Sequence, residues 1–154
     1  FDCLRAQGRI SAGVGRRGYT GCELMGRLAD VCGCAEERTD AGVERLALEI
    51  AEAERPDFLI VQLGSTDDAF HRYGPSSPAA GPVVKETDSR LRRMASRLGG
   101  LRYAVLIHGD HGQHDTESGG SHGSDSDEDS LVPCTWLPAP TRADPEPDEK
   151  EVVA

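Results

Sequence analysis

The sequence lacks a basic stripe, a long apolar run and a completed cysteine motif, and each absence removes a class of function. The formal net charge is -10, and no concentration of Lys and Arg offsets it, which excludes a nucleic-acid partner. The positive charges that do cluster, Arg90, Arg92, Arg93 and Arg97, fall on one predicted helix and read as a solvated face. No apolar stretch approaches the length of a membrane span, and no basic-then-apolar segment opens the chain. The chain starts with Phe1 inside a helical pattern, so its true N-terminus is expected elsewhere. Five cysteines (Cys3, Cys22, Cys32, Cys34, Cys134) make an odd count. Cys32-Gly33-Cys34 is a C-x-C pair with no second pair to complete a zinc or redox site. The thiols are therefore expected to be free, which favours a reducing compartment. No internal repeat is visible. Hydrophobic residues make up 37%, low for a globular chain, and the deficit falls in residues 115–130 and 141–154.

What is present is an alternation of helix and strand signals over 154 residues, enough for one modest core or for part of a larger domain. Residues 1–7 read as the end of a helix with Gly8 as its C-cap, and 9–15 as a short strand. Residues 16–38 show no period and read as loop, with one helical turn near 24–28. Asp40 is expected to cap a helix whose stripe is Val43, Leu46, Leu48, Ile50 and Ala51, closed by Pro56. A strand over 57–63 follows. Gly81-Pro82 opens a second helix with an inner face of Val83, Val84, Thr87, Leu91, Met94, Ala95 and Leu98, ended by Gly99-Gly100. Residues 101–107 and 131–137 read as strands and 115–130 as polar loop. From Pro138 onward the composition predicts a disordered acidic, Pro-rich tail. The order predicts an α/β fold with a mainly parallel sheet flanked by helices.

Chemistry-bearing residues sit where two of these strands end. Asp67-Asp68-Ala69-Phe70-His71-Arg72-Tyr73-Gly74-Pro75 follows the strand at 57–63, and Gly109-Asp110-His111-Gly112 follows the one at 101–107. Asp and His at strand ends, beside a crevice, are suited to a metal site. If the chain turns helical after Thr66, a spacing of four puts Asp67 and His71 on one face. Gly120-Ser121-His122-Gly123 supplies another imidazole, with His114 as its competitor; His108 reads as structural. Asp125, Asp127 and Asp129 alternate like the start of a calcium loop. The sixth position is Ser130 and the twelfth Trp136, so that reading fails and the run reads as a solvated loop.

These motifs resemble the metal-binding half of the alkaline phosphatase superfamily, most closely the type I phosphodiesterases/nucleotide pyrophosphatases and the ethanolamine-phosphate transferases of GPI-anchor synthesis. The family pattern D-x-x-G-H-x-x-G-P is matched by Asp67, His71, Gly74 and Pro75, with Phe70 where the family carries Gly. The resemblance implies two divalent metal ions, with zinc expected. Asp67, His71 and His122 would hold one ion, and Asp110 and His111 would help hold the other. Asp68 is taken as a bystander or a supporting carboxylate. The family's Thr or Ser nucleophile and its upstream Asp have no counterpart here. Residues 1–138 are thus expected to be the C-terminal portion of an alkaline-phosphatase-like phosphoesterase domain, with 139–154 as the tail. The expected function is a phosphodiesterase or phosphotransferase fragment, inactive alone, whose parent acts on a phosphate-ester small molecule or lipid. A non-catalytic metal-binding remnant and a sulfatase or phosphomutase relative are the alternatives.

Overall fold

The computed structural model describes residues 1–141. The tail expected from 139 onward therefore lies almost wholly outside the described residues. A short helix α1 (Asp2–Arg5) ends through Gly8, whose φ of +67° lets Arg9 N–H reach back to Leu4 O. Strand β1 (Ser11–Arg16) is buried at every position and forms the centre of a three-stranded parallel sheet, between β2 (Val31–Ala35) and β3 (Phe58–Val61). β2 pairs through Ala12↔Val31 to Arg16↔Ala35, and β3 through Ser11↔Phe58 to Val14↔Val61.

Helix α2 (Asp40–Ala53) covers one face of this sheet. Val43, Ala47 and Ile50 meet Ala12, Val14 and Ala35 in the core, joined by Met94 from α4 (Gly81–Gly100). The cap of α2 is Thr39, whose Oγ1 accepts from Gly42 N–H at 3.1 Å, not Asp40. Asp40 is buried and serves another purpose, described below. The arginines of α4 are likewise not a plain solvated face. Arg90 is buried, pairing with Glu44 of α2 and with Glu86, while Arg93 donates to Glu44 at 3.0 Å and Arg97 pairs with Glu52. Residues 90, 93 and 97 share one side of the helix, and that side lies along α2.

Four further departures from the sequence reading concern strands, turns and sulfur. Residues 16–38, expected as loop, contain β2 and a π-helical turn, Gly21–Gly26. That turn lies against β1 and β2, and a disulfide joins Cys22 to Cys34, so the thiols are not all free; Cys3, Cys32 and Cys134 are. The pairing removes the support that free thiols gave to a reducing compartment. Strand β4 (Val105–His108) pairs antiparallel with β7 (Cys134–Leu137) as a separate two-stranded sheet. The expected polar loop holds a hairpin, β5 (His114–Thr116) with β6 (Gly119–Ser121), and a single helical turn, α5 (Asp127–Ser130).

Candidate metal centre

Helix α3 (Ser65–Tyr73) begins directly after β3 and carries the first pair of candidate ligands. Its start is fixed by a buried ion pair. Arg16, at the end of β1, places Nη2 2.6 Å from Asp40 Oδ1, and both side chains are at most 5% exposed. The same Oδ1 accepts from Gly64 N–H at 2.9 Å, and Oδ2 from Ser65 N–H at 3.0 Å. Arg16 also reaches α3 itself, donating to Ser65 Oγ at 2.5 Å and Asp68 Oδ2 at 2.6 Å. Burial by itself would raise the Asp40 carboxyl. The Gly64 and Ser65 N–H groups and the Arg16 charge outweigh it and hold the carboxyl below its usual range. Asp68 is bound to Arg16 and to Tyr19 Oη at 2.8 Å, so it supports the helix rather than the candidate ligands.

Asp67 and His71, one turn apart, lie on another side of α3, with His71 Nε2 3.4 Å from Asp67 Oδ1. The hairpin β5–β6 packs its backbone on the end of this helix. A Cβ on Gly119 would overlap His71 O and one on Gly120 would overlap Phe70 O, so only glycine allows the approach. This contact brings His122 to His71, with ring centroids 5.0 Å apart. The turn after β4 brings in His111, whose ring stacks on that of His122 at 3.8 Å and whose Nε2 is 3.9 Å from Asp67 Oδ1. Asp110 is largely exposed, with Oδ1 3.8 Å from His111 Nε2. Among the described residues, Asp67, His111 and His122 each offer a ligand atom within 4.8 Å of the others. His114 lies apart from this group, its Nδ1 2.8 Å from Asp129 Oδ1.

The donor chemistry fits a cation. His71 Nδ1 is 3.1 Å from Gly120 O and His111 Nδ1 is 3.0 Å from Gly112 O. A carbonyl only accepts, so each ring carries its proton on Nδ1 and turns the Nε2 lone pair toward Asp67. Asp67 ionised is also only an acceptor. A cation between such groups would be met by lone pairs from each, and carbonyl-anchored imidazoles are the usual outer arrangement of metal-binding histidines. Two ligands on a tetrahedral zinc with bonds of about 2.0–2.1 Å stand about 3.3–3.4 Å apart, the spacing of His71 Nε2 and Asp67 Oδ1.

The residue-by-residue reading missed Gln113. It is buried, and its Nε2 donates to Asp67 Oδ1 at 3.0 Å, while its Oε1 has no hydrogen-bond partner. It holds the same Asp67 oxygen that faces His71 and His111. Only its position two residues after His111 could have drawn attention to it.

The profile of the type I phosphodiesterase/nucleotide pyrophosphatase family matches residues 16–130, most of the chain. The chain belongs to this family. Among solved structures, human ectonucleotide pyrophosphatase/phosphodiesterase 5 superposes with a TM-score of 0.53 at 20% identity, over 72% of this chain and 31% of that one. The murine protein of the same name, an inactive variant in complex with AMP, gives 0.53 at 19% identity, over 71% and 31%. At these identities the likeness is one of fold, and the chain spans less than a third of either protein. No curated protein matches the chain at a significant level. Type I phosphodiesterases are hydrolases of phosphate esters, and no helix among the described residues of this member is long and apolar enough to cross a membrane.

Proposed function

We propose that residues 1–138 form the C-terminal portion of a two-metal phosphodiesterase or phosphotransferase domain and carry most of its metal ligands. Asp67, His71 and His122 would hold one divalent ion, with zinc the expected metal, and Asp110 and His111 would help hold the other. The observation that carries this reading is the approach of Asp67, His111 and His122, from α3, the turn after β4 and the end of β6, to within 4.8 Å of one another, with His71 Nε2 3.4 Å from Asp67 Oδ1 and the His71 and His111 rings anchored through Nδ1. When bound, the ions would supply Lewis-acid stabilisation of phosphoryl oxygens and activation of a hydroxyl nucleophile. The chain's own residues act around them. Gly120 O and Gly112 O hold the His71 and His111 rings in the ligating tautomer, and Gln113 orients Asp67. Arg16 and Asp40 fix the start of α3, from which Asp67 and His71 project. The substrate is expected to be a phosphate-ester small molecule or lipid.

The sequence reading assigns the family's Thr or Ser nucleophile to no residue of this chain, so the chain alone is expected to lack turnover. The test combines zinc content after dialysis with hydrolysis of a generic aryl phosphodiester. Bound zinc without chelator-sensitive turnover is the expected result. Failure to retain zinc at micromolar concentration overturns the metal reading. Robust turnover lost on chelation would place a nucleophile within this chain.

A further inference from the structure

The acidic run at 125–129 contains one residue that is not solvated. Asp129 is 5% exposed, although its neighbours on either side are exposed. Its Oδ2 accepts from Ser124 N–H and from Ser124 Oγ–H, each at 2.7 Å, and its Oδ1 accepts from His114 Nδ1–H at 2.8 Å. Its backbone carbonyl accepts from Gly112 N–H at 2.8 Å. Gly112 directly follows His111, and Ser124 lies two residues beyond His122. Gly112 also packs so tightly on the Glu128 carbonyl that a Cβ there would overlap it.

We propose that Asp129 is a positioning residue that locks the His111 turn and the His122 segment together, an inference that rests on reading those imidazoles as metal ligands. The β5–β6 pairing joins the two segments only between His114 and Ser121 at its near end. Beyond it, Gly112 and Ser124 are both tied to Asp129. The stack of His111 on His122, 22° from parallel, is thereby held from behind by one carboxylate and one carbonyl of the same residue. The carboxylate accepts three hydrogen bonds and offers no donor of its own, so it also keeps the His114 proton on Nδ1. His114 is thereby part of the latch.

The test uses the full chain with nitrogen-15-labelled histidine. In the metal-free protein the stacked His111 and His122 rings should show mutual ring-current shifts, and His114 should be the Nδ1–H tautomer. Asp129→Ala should collapse those shifts toward free imidazole and weaken Zn²⁺ binding about 10–100-fold, the range for residues that orient ligands. Asp129→Asn keeps the shape and an acceptor for Ser124 but turns an amide N–H₂ toward His114. It should flip His114 to the Nε2–H tautomer and retain more of the affinity than Asp129→Ala. Should Asp129→Ala fail to fold, Ser124→Ala, which removes one donor and no core volume, is judged by the same signals and should show a smaller loss. Wild-type ring shifts and wild-type Zn²⁺ affinity in a folded Asp129→Ala, or in Ser124→Ala where that variant decides, overturn the proposal. Ring shifts that collapse in the variant of a protein that binds no Zn²⁺ would sink the metal reading and leave the positioning role standing.

Discussion

Replacing Asp40 with Ala tests how the candidate centre is tied to the sheet. The carboxylate accepts from Arg16, Gly64 N–H and Ser65 N–H and has almost no contact with water. Its removal leaves a buried guanidinium with only Asp68 and Ser65 as partners, and two backbone donors at the start of α3 unpaired. Breaking one side of a buried ion pair destabilises by about 3–5 kcal/mol, against a whole-domain stability of about 5–15 kcal/mol. At about 2–4 °C per kcal/mol for a chain of this size, the midpoint of thermal unfolding should fall by about 6–20 °C. Urea titration should show a lower midpoint with an unchanged slope, since the surface exposed on unfolding is the same. The double replacement Arg16→Met with Asp40→Leu should be less destabilised than the sum of its single variants, because it leaves no orphaned charge. A loss below about 1 kcal/mol for Asp40→Ala, the size of an exposed pair, would refute the argument. It would mean that Asp68 satisfies Arg16 and that solvent reaches Gly64.

Stability should also fall in acid. Hydrogen bonds from the Ser11 hydroxyl and N–H, with Arg5, lower Asp30 to about 2, and Asp40 is lowered as described. Unfolded carboxylates take up protons near about pH 4, so this contribution is complete above that pH and is lost as the pH falls toward 2. Urea midpoints across this window should slope downward, and Asp30→Asn should flatten the slope. Reducing Cys22–Cys34, which closes a loop with a sequence separation of 12, should lower stability by about 2–4 kcal/mol. A urea midpoint unmoved by phosphine reductant would contradict this. His122→Ala should lose most of the bound zinc, whereas His114→Ala should lose less, through the Asp129 latch alone. The reverse order in metal content would overturn the ligand choice.

The elements legible in the sequence were those with a long period or firm punctuation. α2 and α4 announce themselves through apolar stripes, Pro56 and Pro82, and β1 and β3 through short apolar runs. β2 was illegible because Val31–Ala35 consists largely of small residues. Its place beside β1 is set by tertiary pairing. The β5–β6 hairpin, three residues a side, has no apolar alternation, and its Gly119 and Gly120 are there for contact with α3. The candidate ligands were legible through family motifs, which record a local loop chemistry. Gln113, Asp129 and the Arg16–Asp40 pair were not, because a polar residue's burial depends on what folds over it.

The nine residues of α3 face two environments at once. Ser65 and Asp68 turn toward Arg16, while Asp67 and His71 turn toward the imidazoles. Each helical residue advances the direction of the side chain by about 100°. A single residue inserted between Thr66 and Asp67 would therefore rotate Asp67, Asp68 and His71 away from their present partners together, while Ser65 stayed put. No compensating point substitution could restore both sides. This segment should tolerate changes of residue type far better than changes of length, and its reading frame within the helix is as much a part of the centre as any ligand.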